Sequence, residues 1–274
     1  MASLAFAQLG QLDRAELALE HMLEPETRRF DTDAFGVDVE KDPLGDHVAL
    51  LGYGNLALGV YREAGGQRFH DVNDRWTKRL AVALQARPLL YTYPGERYPV
   101  DNAAALASVV VHARATGQAR PAWVDAWLQS FGSRWVQDGL LIQSAQGPGL
   151  LRGSGTTLGS YFLSHADTPL AEELAQGALD RLYETTWRFG ALKEYPEGVE
   201  GDGDIDSGPL ILGYSVSATG FGLSCARSSG DARRFRGLFS TAWLFGAPTL
   251  DRRALVSGGP LGNAILLAMM TGPT

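Results

Sequence analysis

Residues 47–61 read HVALLGYGNLALGVY. A run this apolar suits either a buried strand or a buried helix. It lacks the alternation of a strand, spans helix-like length, and is preceded by polar residues able to begin a helix. The reading is therefore a helix, despite Gly52, Gly54 and Gly59. A helix that is apolar on all sides is buried on all sides. Its small residues let a neighbouring helix axis approach closely, which offsets part of their propensity cost.

The same kind of segment recurs at 102–117 (NAAALASVVVHARATG), 156–166 (TTLGSYFLSHA), 208–226 (GPLILGYSVSATGFGLSCA) and 258–272 (GGPLGNAILLAMMTG). Amphipathic segments lie between them: 68–86, 121–137, 171–187 and 232–246. In the first of these, Val72, Trp76, Leu80 and Leu84 recur at helical spacing. Inner and outer helices thus alternate, as in a ring of αα-hairpins. The expectation is an all-α chain, an (α/α)6 toroid of about 10–12 helices, complete or short of one. It occupies residues 1–274 as one domain and opens on a helix at about 2–24. The competing all-α architecture is an irregular bundle. Extended backbone is expected only near 87–99 (RPLLYTYPGERYP) and 187–196 (WRFGALKEYP).

Bulk composition limits the functional classes. With 45% hydrophobic and 20% charged residues, the 274-residue chain can bury a sizeable core. Its net charge is −7 and it has no basic stripe, which argues against nucleic acid as a partner. No apolar run reaches the roughly 18 residues of a membrane span. The partner expected is a small-molecule substrate, and a homo-oligomer remains open. Cys225 stands alone in an apolar run, so it reads as a buried, inert thiol. No signal peptide is visible at the start. Because the chain opens in a helix, a removed targeting segment and a periplasmic or secreted location stay compatible.

Parallel inner helices would open their N-termini on one mouth, where positive potential favours carboxylates and anions. The loops leading into them, 41–47, 91–102, 149–157, 192–209 and 254–263, hold most of the Gly-Pro-aromatic-acid clusters. Asp202, Asp204 and Asp206 have the opening spacing of a calcium loop. Ser207 and Gly213, however, stand where that loop needs Gly and Glu. Asp206 or Ser207 instead suits a cap on a helix entered through Gly208-Pro209. Asp101 suits a cap on the helix near Asn102. No two histidines have zinc-helix spacing, and neither a phosphate-binding loop nor a nucleophile elbow is present. No metal or cofactor is expected.

The proton-transfer candidates are Glu96, Asp101, Glu194 and Asp204, carboxylates beside aromatics and glycines at the mouth. Tyr93, Tyr98 and Tyr195 would line a pocket. Arg152 would order acidic loops by bidentate pairing, with His47 and Asp206 at the rim.

The stretches YPGERYPVDNAAALASVVVHARATG, LRGSGTTLGSYFLSHAD and EYPEG…GDIDSGPLILGYSVSATGFGL together resemble bacterial proteins related to linalool dehydratase/isomerase. The resemblance covers most of the chain from about Asp46 onward. It implies an (α/α)6 barrel and cofactor-free acid/base chemistry that removes water from, adds it to, or isomerises a terpene alcohol. That family's site also uses two cysteines. With only Cys225 in this sequence, carboxylates and tyrosines would have to carry such chemistry. The resulting expectation is a lyase or isomerase acting on a small apolar alcohol. Its rivals are a glycoside hydrolase on the same ring, which needs two facing carboxyls, and a non-catalytic scaffold whose acids are caps.

Overall fold

The computed structural model describes residues 1–43 and 45–274. Among them are twelve helices and three two-stranded antiparallel sheets, so the chain is mostly α. It divides into two compact units. The first is essentially 3–135 with 144–149; the second is 136–143 with 150–274.

The first unit contains α1 (Ala2–Gln8), α2 (Leu12–Leu23), α3 (Arg29–Phe35), α4 (Val48–Glu63), α5 (His70–Ala86), α6 (Pro99–Ala115) and α7 (Val124–Trp135). The expected helix at 2–24 is broken in two where Gly10 takes a left-handed φ of 68°. The RFDTDAF segment of α3 is too short to show a clear helical period. α4 and α6 are buried nearly all round. They meet through glycines. A Cβ at Gly52 would lie 3.0 Å from the Asp101 carbonyl, and one at Gly59 would lie 3.0 Å from Val111 Cγ1. α5 covers this pair with Trp76, Leu80 and Leu84.

The second unit contains β1 (Val136–Gln137), β2 (Leu140–Leu141), α8 (Gly153–Ser164), α9 (Pro169–Arg181), β3 (Tyr183–Thr186), β4 (Phe189–Leu192), β5 (Leu210–Ile211), β6 (Tyr214–Ser215), α10 (Val216–Ser228), α11 (Ala232–Gly246) and α12 (Gly259–Thr271). α8 and α10 are its most enclosed helices, and α9 and α11 flank them. α12 packs on α10 but buries only Ala268 and Met269.

Two expected helix starts differ. The 208–226 segment does not enter a helix at Pro209. Gly208 is left-handed (φ 67°), and Leu212-Gly213 have positive φ at both turn positions, as a tight hairpin requires. β5 and β6 form that hairpin, and α10 starts after it. Its cap is Ser215, whose hydroxyl accepts from Ala218 N at 3.0 Å, in place of Asp206 or Ser207. α6 likewise begins at Pro99, which puts Asp101 inside the first turn and not at the cap.

One device recurs at the start of α6, α8, α10 and α12. A polar side chain in the first turn or just beyond it accepts the backbone N–H of a leucine from the segment before. Asn102 holds Leu90 (2.7 Å), Thr156 holds Leu141 (2.8 Å), Thr219 holds Leu192 (3.0 Å) and Asn263 holds Leu255 (2.8 Å). Each bond satisfies a buried or part-buried backbone donor that no strand partner reaches.

Candidate functional site

The expected site residues fall into two clusters, one in each unit. In the first unit, residues 92–96 form a turn closed by Thr92 N to Glu96 O (2.9 Å) and Glu96 N to Tyr93 O (2.9 Å). Pro94 and left-handed Gly95 (φ 86°) occupy its corner. Tyr93 and Glu96 therefore sit together, and the Tyr98 hydroxyl donates to Glu96 Oε2 at 3.1 Å. Glu96 is exposed.

Asp101 is nearly enclosed, at 6% exposure. Each of its oxygens takes a hydroxyl donor: Tyr53 on Oδ1 at 2.8 Å and Thr92 on Oδ2 at 2.7 Å. Thr92 Oγ1 in turn accepts Tyr98 N at 3.2 Å. Tyr53 and Thr92 are absent from the sequence-derived site. The available signal was Gly52, directly before Tyr53: it brings the α4 backbone against α6 at Asp101.

The 87–92 segment is held from both sides. Asp46 accepts Tyr91 N (2.7 Å) and pairs with both terminal nitrogens of Arg87. Asn102 bonds Leu90 N and Leu90 O. His47, the residue before α4, takes a left-handed φ of 45° and is fully buried. Its Nδ1 lies 2.6 Å from Asp31 Oδ2 and its Nε2 lies 3.2 Å from Asp42 Oδ2, with the Phe35 ring 3.9 Å away. Both ring nitrogens are thereby committed, so His47 ties Asp42 to α3.

In the second unit, Arg152 organises the acid-rich loop. Its Nε donates to Glu194 Oε1 (2.7 Å), and both terminal nitrogens fork onto Asp204. Glu194 is completely buried and also accepts the Ser154 hydroxyl at 2.6 Å and Ser154 N at 3.3 Å. Asp204 Oδ1 accepts Asp206 N and Ser207 N, each at 3.0 Å, which closes a tight loop. Tyr195 lies under the Arg152 guanidinium (5.5 Å) and donates to the Asp202 carbonyl at 2.9 Å.

Electrostatics follow this geometry. Burial alone would weaken the Arg152 charge, but bonds to Asp204 and Glu194 outweigh it and raise the pKa. For Asp204, desolvation is overcome by Arg152 and by the loop N–H groups, and its carboxyl is held at about 2. Asp206 moves the other way, raised by desolvation and by the Asp204 charge. Tyr195 is raised, chiefly by desolvation. Cys225 is buried and its thiol is pushed up to about 11 by that burial.

Beside this network lies an open depression of ≈ 1200 Å³, with Glu184, Lys193, Tyr195, Glu200 and Asp202 on its wall. Among the described residues, no group of three or more His, Cys, Asp or Glu is placed to hold a metal ion. No described helix is long and apolar enough to cross a membrane. No family model matches this chain, and no curated protein matches it.

Proposed function

We propose that the chain is a cofactor-free acid/base enzyme, a hydro-lyase or isomerase acting on a small alcohol, built as an (α/α)6 ring akin to the linalool dehydratase/isomerase family. The ring is supported by the alternation of enclosed and flanking helices. It is supported further by the clip that repeats at α6, α8, α10 and α12.

The observation that carries the chemistry is the Tyr53–Asp101–Thr92 group: a nearly buried carboxyl reached through the part-buried Tyr53. In hydration, the Asp101 carboxylate takes the Tyr53 phenol proton, along the bond that Tyr53 donates to it, as the Tyr53 oxygen takes a proton from the attacking water. In dehydration, Asp101 returns that proton as the phenol proton moves to the leaving hydroxyl. Water departs, Asp101 is left ionised, and Tyr53 is unchanged. The carbon-bound proton then goes to a second carboxylate. Glu96, exposed in the adjoining turn and hydrogen-bonded by Tyr98, fills that role. Hydration runs the same steps in reverse.

Glu194 and Asp204 are better suited to positioning than to proton transfer. Each is bound by Arg152, Glu194 is enclosed with its oxygens taken by Arg152 and Ser154, and the Asp204 carboxyl, held at about 2, has no proton to give at neutral pH. This supports an acidic loop whose shape Arg152 maintains.

Asp101→Asn and Tyr53→Phe should each lower turnover of a tertiary allylic alcohol by roughly 100-fold or more, with the circular dichroism spectrum unchanged. Full activity in both variants would remove the proposal.

A second reading, a carbohydrate-active enzyme, draws on the open, polar depression beside Glu184 and Glu200. Native mass spectrometry against terpene alcohols and oligosaccharides separates the two.

A further inference from the structure

Arg97 stands apart from the other enclosed arginines. Arg28 pairs with Asp38, Arg87 with Asp46, Arg152 with Glu194 and Asp204, and Arg234 with Asp180. Arg79 donates to the carbonyls of Val39 and Gly45. Arg97 is part-buried, yet among the described residues its guanidinium has neither an ion pair nor a hydrogen bond, and its Nε is enclosed without an acceptor. Removing a cation from water without a counter-charge is costly.

The side chain is nevertheless held in place. The guanidinium lies over the Tyr91 ring, 4.0 Å from its centroid. The Tyr91 backbone is fixed by Asp46 at its N–H (2.7 Å) and by Val48 N at its carbonyl (3.2 Å). The Arg97 backbone is fixed by Gln146 Oε1 (2.9 Å) and Ala145 N (2.9 Å). A guanidinium held over an aromatic ring keeps N–H donors that can bond an oxyanion.

Arg97 lies between Thr92 and Asp101 in the segment that carries the proposed relay. We infer that Arg97 binds an oxyanion on the substrate, so that the alcohol handled beside Asp101 carries a carboxylate or phosphate group. This rests on the acid/base reading for the identity of the site, but its test does not.

Titration calorimetry on the intact chain would use inorganic phosphate in one arm and lactate, a small hydroxy monocarboxylate, in the other. The native protein should bind at least one. Arg97→Ala should weaken that binding roughly ten- to a hundredfold. Arg97→Lys, which keeps charge but loses the guanidinium, should fall between and also covers a failure of the alanine variant to fold. Asp101→Asn should abolish turnover while leaving anion binding in place. No binding by the native protein in either arm, or equal affinity in native protein and Arg97→Lys or Arg97→Ala, would overturn the inference. Normal turnover in Asp101→Asn with Arg97-dependent binding would sink the relay and spare the anion site.

Discussion

Arg152 is 5% exposed and Glu194 beneath it is fully enclosed. Removing one partner of such a pair leaves a buried charge with nothing to answer it. Arg152→Ala should therefore cost about 3–5 kcal/mol, read as a lower urea midpoint. Arg152→Ala with Glu194→Gln should recover part of that loss. The sequence showed the residue types of this network but not their division of labour. Glu194 read as a proton donor because it stands beside Tyr195, and Asp204 because it lies in a glycine-rich acidic loop. Only folding brings Arg152 across to them and holds Asp204 at about 2. Asp101 was legible as a candidate from its place at the head of an apolar helix, whereas Tyr53 was hidden inside one. Its role depends on which face of α4 meets α6, and periodicity is silent on that point for a helix apolar all round.

At the scale of elements, the close contact of α4 with α6 is the feature most exposed to mutation. A Cβ at Gly52 would lie 3.0 Å from Asp101 O and 3.1 Å from Ala105 N, both backbone atoms that cannot rotate away. Gly52→Ala should separate the helices, cost about 1–3 kcal/mol, and draw Tyr53 away from Asp101. A lower melting temperature together with lost turnover checks this. The repeated clip gives a second expectation. Thr219→Val leaves Leu192 N–H buried without an acceptor and should cost about 1–3 kcal/mol, measured by chemical denaturation. The clip was not legible as a sequence repeat. Its residue is Asn at two helices and Thr at the other two, and its distance along the chain from the leucine differs at Leu90–Asn102, Leu141–Thr156, Leu192–Thr219 and Leu255–Asn263. A side chain that reaches a backbone amide needs a position in space, not a fixed spacing.

For the whole molecule, the carboxylates set the response to acid. Glu16, Asp74, Asp180, Asp204 and Asp251 are all lowered from their ordinary values. A lowered folded-state pKa means that the unfolded chain binds protons first as pH falls. The stabilisation is present above about pH 4 and is lost as pH drops through the lowered values, about 2 for Asp204. Asp206, being raised, opposes the trend weakly. Thermal melts should therefore decline steeply below about pH 4. Asp204→Asn should flatten the part of that decline that runs down to about pH 2. A melting temperature unchanged between neutral and strongly acid pH would contradict the assignment.

The sequence by itself determined the helical class, the alternation of enclosed and amphipathic helices, and the segments where polar chemistry gathers. These follow from local periodicity and composition, which a chain carries residue by residue. Tertiary structure decided where α10 starts, which acids are bound by Arg152, and that Tyr53 and Thr92 enclose Asp101. Those outcomes depend on partners distant in sequence, and a hydrogen bond or ion pair is specified by distance and direction in space.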